Sequence, residues 1–169
     1  VVPAMTEFLG LFDSPTPPTM DGNHGPSWWR DVQSQQWRAY AGALASPGPG
    51  WTALTPLNRI EGASPSEAAA FHYVVETDIP PHAEADFNAW YDTEHLPGLA
   101  RVPGTVLARR YRRDTGGPRY IACYDIQAPE VLERPEWLAI RHTPWSARVR
   151  PLFLNTRRLM HARVPPALT

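Results

Sequence analysis

The sequence contains no lysine. All 16 basic side chains are arginine, which excludes a lysine Schiff base, a lysine-anchored pyridoxal phosphate and a GxxxxGK[ST] phosphate loop. Cysteine is nearly absent. Cys123 alone can make neither an intramolecular disulfide nor a cysteine-based zinc cage, and its place in the apolar stretch RYIACYDI marks a buried thiol. No run of about 18 apolar residues exists to cross a bilayer. Val1–Gly10 has neither the charged nor the apolar region of a signal peptide, so no membrane partner and a cytoplasmic location are expected. HExxH, His-x-His and paired cysteines are missing, no serine sits in a nucleophile elbow, and Gly116-Gly117 reads as a turn; a metal site is not expected.

What is present suits a globular chain. A hydrophobic content of 43% over 169 residues, with 11% aromatic, is enough to bury a core. Proline, at 20 residues, is well above the usual share of about 5%; together with the arginine-only usage it reads as codon bias. Residues 1–100 hold 3 arginines against 12 acids, and 101–169 hold 13 against 5, so the parts carry about −9 and +8. The acidic part offers the basic part an internal partner, and nucleic acid is not expected as a ligand.

Element order is clearest over residues 70–165. Phe71–Thr77 is β-branched and aromatic and is stopped by Pro80-Pro81. Residues 83–99 place Phe87, Tyr91 and His95 at steps of four with acids toward the start, which predicts a helix ending at Pro97-Gly98. Val102-Pro103-Gly104 turns into a strand, TVLARRYRR, and a hairpin at Asp114–Gly117 leads to RYIACYDI. A helix over about 134–149, interrupted by Pro144, and a strand over 153–164 complete the order βαββαβ, a ferredoxin-like α+β module.

Residues 1–62 read as a partial repeat of that module, joined by a linker at 63–69. GLFDS at Gly10–Ser14 resembles ACYDI at Ala122–Ile126, and Trp29 to Trp37 has the spacing of Trp137 to Trp145. This register predicts strand 6–14, a helix over about Ser27–Ala45 and a strand over 51–62, equivalent to β3-α2-β4. Such a fragment would leave strand edges unpaired. The expectation is therefore that further sequence precedes Val1 or that another chain fills the gap.

The segment Phe87–Arg113 contains Phe87, Trp90, Tyr91, His95, Pro97, Pro103, Gly104, Arg109, Arg110 and Tyr111. Its pattern, F-x-x-W-Y-x-x-x-H-x-P followed by x-P-G and an arginine-rich strand, resembles the EthD-like and muconolactone-isomerase-like branch of the dimeric α/β-barrel superfamily. The resemblance implies two four-stranded sheets closing around a cavity, either as a homodimer or as an intramolecular pseudo-dimer. It also implies activity on small, often aromatic or lactone-like metabolites, usually without a metal or organic cofactor.

Within that frame His95 and Tyr91 are the catalytic candidates, and Trp90, Arg109 and Arg110 the substrate-binding ones. A neutral imidazole accepts a proton near pH 7, with Glu94 or a barrel residue to orient it. The alternative for His95 is a cap on the helix end, where Pro97 leaves the Thr93 carbonyl without its usual donor. Tyr91 either donates to a substrate oxygen or packs on the sheet. Arg109 and Arg110 face opposite sides of their strand, so one of them reaches the cavity, where it would hold a carboxylate or enolate; a surface arginine is the alternative. His72 and Glu76 share a strand face about 13 Å apart, too far to share a proton. The expected function is proton transfer, isomerisation, decarboxylation or oxygenation of a hydrophobic metabolite, neutral or anionic, in a cavity inside the barrel. A non-catalytic binding or structural barrel is one rival. A haem-binding barrel is another, with His95, His142 or His161 as axial ligand.

Overall fold

The computed structural model describes residues 8–16, 27–44 and 50–164. Eight strands run through them: β1 Phe8–Ser14, β2 Ser27–Asp31, β3 Trp37–Leu44, β4 Trp51–Glu61, β5 Phe71–Asp78, β6 Thr105–Arg113, β7 Tyr120–Ile126 and β8 Leu154–Arg163. They form one closed antiparallel barrel in the order β1-β3-β2-β8-β5-β7-β6-β4. One chain closes the barrel by itself, so among the described residues each strand has a neighbour on both sides. The helices are α1 Glu84–Trp90, α2 Leu96–Ala100, α3 Pro135–Arg141 and α4 Pro144–Val149. All four lie between strands of the second half, as the βαββαβ order requires.

The expected helix over 27–45 is absent from the described residues, which form β2, a turn and β3 instead. Trp29 and Trp37 lie on strands, whereas Trp137 and Trp145 lie on α3 and α4, so their equal spacing does not reflect equivalent positions. The cause is local. Asp31 turns its carboxylate back to accept the amides of Gln33 at 3.0 Å and Ser34 at 2.5 Å, and Gln35 adopts φ +62, which reverses the chain where a helix would have run on. The strand order also corrects the partial repeat and its gap. The first half reads β4-β1-β3-β2 around the barrel and the second β8-β5-β7-β6, so each half supplies four strands in the same relative order.

Alternation along the strands separates two cores. Outward residues of the second sheet, among them Ala108, Tyr120, Ala122, Tyr124 and Ile126, pack under the helices against Phe87, Trp90, Leu96 and Trp137. Inward residues, among them Leu11, Trp29, Tyr40, Leu54, Val74, Tyr111, Ile121 and Cys123, fill the barrel. The interior is also charged. Glu76 is fully buried with Arg38 at 2.8 Å, Arg113 at 3.0 Å and Arg157 around it, and Arg38 also holds Asp13 at 2.7 Å. Burial alone would raise the Glu76 carboxyl, but the three guanidiniums outweigh it and bring its pKa to about 2. A barrel so filled differs from the cavity-bearing one expected from the sequence.

Candidate active site between the helices and the sheet

Pro80-Pro81 ends β5, and Glu84 and Asp86 occupy the first turn of α1, where acids complement the helix dipole. The helix buries Phe87 and Trp90 completely, and the Trp90 indole donates to Ser146 Oγ at 3.1 Å, tying α1 to α4. From Tyr91 to His95 the backbone widens into a π-helical turn, with the Leu96 amide bonding five residues back to the Tyr91 carbonyl. The changed register accommodates Pro97, and the helix continues to Ala100 rather than ending at Pro97-Gly98. Gly104, at φ +95, then makes the turn into β6 where a Cβ would lie 2.6 Å from Val131.

The π turn aims Tyr91 and His95 into a cleft between the helices and the outer face of the sheet. The His95 ring stacks on Trp90, with centroids 4.1 Å apart and planes at 24°, and meets the Tyr91 ring edge-on at 5.4 Å. Tyr73 and Tyr124 rise from the sheet to line the floor, and Trp137 lines the wall beneath α3. Arg141 from α3, Arg150 just after α4 and Arg158 from β8 complete the lining. The cleft is open to solvent along its mouth, with about 40 Å³ of cavity at its base. It lies outside the barrel, whereas the sequence placed the cavity inside it.

His95 is 8% exposed, and its Nδ1 is buried with no hydrogen-bond partner. Burial, followed by the charges of Arg150, Arg110 and Arg141, lowers its pKa to about 3, so the ring is neutral at ordinary pH. A neutral ring stacked on an indole cannot serve as the cationic helix cap. Glu94 does not orient it, because its carboxylate accepts the Thr143 hydroxyl. The Tyr91 hydroxyl is pushed up to about 12, chiefly by burial, and therefore stays protonated as a donor.

The two arginines of β6 part as their alternation requires. Arg109 enters the barrel, where one Nη reaches both Asp125 oxygens at 3.0 Å. Arg110 stays on the helix side with its guanidinium carbon 4.2 Å from the Tyr91 ring centroid. Its donors are taken by Asn88 at 2.7 Å, Asp92 at 3.1 Å and Asn58 at 3.2 Å, so it supports the back of Tyr91 beside a second cleft. Of the five candidates read from sequence, Trp90, Tyr91 and His95 come together at one cleft, Arg110 sits behind them and Arg109 is elsewhere. Arg141, Arg150, Arg158 and Trp137 were missed; their signal was only the excess of arginine after residue 100. His142 is exposed at the end of α3, and His161 is buried inside the barrel beside His72.

No family model matches the sequence, and no curated protein matches it. Solved structures match the fold. A protein named "putative monooxygenase" from Fusobacterium nucleatum superposes with TM-score 0.64 at 9% identity, over 94% of this chain and 93% of its own. A heme-degrading enzyme from Listeria monocytogenes gives 0.62 at 7% identity, over 92% and 98%. An uncharacterized ferredoxin-fold protein related to antibiotic biosynthesis monooxygenases, also from Listeria monocytogenes, gives 0.62 at 9% identity, over 95% and 97%. The chain shares its ferredoxin-like fold with these proteins. At these identities the likeness concerns the fold alone, and in barrels of this type the chemistry has to be read from the residues of the site.

Proposed function

We propose that this protein is an oxygenase-type enzyme acting on a hydrophobic small molecule in the outer cleft, with His95 as the base that takes the substrate's proton. The observation that carries this reading is the neutral, buried His95 ring with an unpartnered Nδ1 at a half-open aromatic cleft. Buried polar atoms are normally satisfied, and an orphan at a cleft marks where a ligand completes the set. Tyr91 donates its hydroxyl to a substrate oxygen, and Trp90 holds the imidazole plane. Removing a proton from an activated carbon or phenol leaves an electron-rich anion that reacts with dioxygen without a cofactor; isomerisation or decarboxylation would begin from the same kind of anion. The names of the fold neighbours favour oxygenation. The pattern from Phe87 to Arg110 supports the EthD-like branch.

His95→Gln should lower oxygen uptake on a phenolic polycyclic substrate such as an anthrone by about 10²- to 10⁴-fold, the range of a positioned base. Circular dichroism should be unchanged. Unchanged uptake in a folded variant would return the cleft to a binding role.

The same donor favours a second reading. Haem requires a neutral imidazole with a free nitrogen, and His95 provides one, whereas His142 is on the surface and His161 is enclosed in the barrel. His95 would hold the haem through its imidazole, and the haem would supply the oxygen chemistry. Titration with haemin, followed by the Soret band in wild type and His95→Gln, tests this directly. A His95-dependent band supports it, and its absence leaves the cofactor-free reading.

A further inference from the structure

The lining of the outer cleft contains three guanidiniums and no carboxylate. Arg141, Arg150 and Arg158 arrive from three different elements, the end of α3, the turn after α4 and β8. Among the described residues none of the three has an ion-pair partner. The arginines of the barrel and of the second cleft are paired, Arg38 and Arg113 with Glu76, Arg109 with Asp125 and Arg110 with Asp92, while Arg30, Arg101, Arg112, Arg134 and Arg163, which have no ion pair among the described residues either, do not line the cleft. The proton affinity of Arg150 is lowered, first by burial and then by the charges of Arg141 and Arg158. Cations gathered without a counter-ion repel one another, and a ligand that brings a negative charge relieves the repulsion.

The remaining walls are flat and aromatic. Tyr73 and Tyr124 stack at 6.2 Å, Trp137 meets Tyr124 edge-on at 5.2 Å, and the Trp90–His95 stack stands opposite. Arg158 lines the cleft together with Tyr73, which places one cation beside this floor. We propose that the cleft takes a planar aromatic carboxylate, its ring on the aromatic walls and its carboxylate on Arg150 with Arg141 and Arg158 beside it. This rests on the reading of the cleft as the ligand site and names the class of its ligand. A guanidinium matches a carboxylate with two parallel hydrogen bonds, and an aromatic body supplies the apolar contact.

Ligand charge also bears on the base. The charged groups that face His95 are Arg150, Arg110 and Arg141, from the turn after α4, β6 and α3; Tyr91 is neutral on its own helix, and Tyr73 and Tyr124 are neutral on the sheet. Arg110 is already compensated by Asp92. A carboxylate on Arg150 cancels the foremost of the charges that hold His95 deprotonated, so the substrate strengthens the base that attacks it.

The test is binding of 2-naphthoate and of its neutral isostere 2-naphthamide to the full chain, followed by tryptophan fluorescence. Naphthoate should bind about 10- to 100-fold more tightly, with a preference that shrinks as salt rises. Arg150→Gln and Arg158→Gln should each weaken naphthoate about 10-fold and leave naphthamide unchanged, while Arg59→Gln, on β4 away from the cleft, should change neither. Saturating naphthoate should raise the pKa of the His95 imidazole, read by NMR, by a unit or more. Equal affinity for the two probes, equal effects of the arginine variants on both, or no binding of naphthoate at millimolar concentration would each overturn the proposal. Arg158 is exposed on β8, so its variant remains informative should Arg150→Gln fail to fold. His95→Gln should keep the preference for naphthoate over naphthamide, which depends on the arginines, so failure of the base role and failure of the carboxylate clamp give different results.

Discussion

His72 and His95 are both more than nine-tenths buried, yet one is fully bonded and the other is not. His72, inside the barrel, shares its Nδ1 proton with Asp125 at 2.6 Å, accepts the Tyr40 hydroxyl at Nε2 at 2.9 Å and stacks on Trp29 at 4.8 Å. Its proton affinity is lowered by burial, although Asp125 opposes this, and it stays neutral. For Asp125, burial alone would raise the pKa, but the bonds from His72 and the charge of Arg109 outweigh it, so the carboxylate is ionised. His95 faces no such partners. The contrast extends to the arginines, matched to carboxylates in the barrel and unmatched in the cleft. Even Arg38 Nη1, not aligned as a hydrogen bond, lies 2.8 Å from Glu76. Inside the barrel Arg109 Nε and His161 Nδ1 also lack a hydrogen-bond partner, so what sets His95 apart is that its orphan lies beside an opening, where a ligand can complete the set.

The hardest blow to this distinction would be struck at Glu76. Glu76→Gln keeps the shape and removes the charge that Arg38, Arg113 and Arg157 share. Leaving buried cations uncompensated should cost about 3–5 kcal/mol, measured by urea denaturation. A loss below about 1 kcal/mol would mean that water reaches the barrel interior and that its charges are not a structural network.

Acid should separate the regions next. Burial holds the folded-state pKa of His95 at about 3, below its ordinary 6.5, and His161 is likewise lowered to about 3 by burial, with His72 and Arg38 adding to it. Between those values the unfolded chain binds the additional protons. Stability is therefore complete above pH 6.5 and falls as the pH drops toward 3, by about 1.4 kcal/mol per pH unit for each such group, or about 2 kcal/mol each by pH 5. Glu76, lowered from 4.5 to about 2, adds its loss only below pH 4.5. His95→Phe keeps the stack on Trp90 and should flatten the slope between pH 6.5 and 5 by the contribution of one histidine. An unchanged slope would show that His95 is already solvated in the free protein.

How much of this was legible depends on the distance over which each signal acts. The strands and helices after residue 70 announced themselves through local period and proline stops, and the π-turn histidine emerged because Phe87, Tyr91 and His95 share one helical side. Residues 27–44 misled because two tryptophans eight apart suit a helix, while the deciding event was a side chain, Asp31, capturing two amides. Strand alternation showed that Arg109 and Arg110 must part, but not which one would face the helices, since both faces of that sheet are buried. The Arg141, Arg150 and Arg158 cluster was invisible for a different reason. It is assembled by the packing of α3 and β8 against α1, and no sequence spacing encodes it.

The finest test compares two tyrosines. The Tyr40 hydroxyl donates to His72 and is enclosed in the barrel, whereas the Tyr91 hydroxyl has no hydrogen-bond partner among the described residues and lines the cleft. Tyr40→Phe removes one buried hydrogen bond and leaves Nε2 of His72 without its donor, which should cost about 1–2 kcal/mol. It should also raise the pKa of His72, because the freed Nε2 can now take a proton while Asp125 still favours the charged ring. Tyr91→Phe removes no bond and should change stability by less than about 0.5 kcal/mol, with its effect confined to ligand binding or turnover. Urea denaturation of both variants, with NMR titration of His72, makes the comparison. Equal losses of stability would mean that the Tyr91 hydroxyl is bonded within the protein after all, and the cleft would then be one more satisfied part of the core.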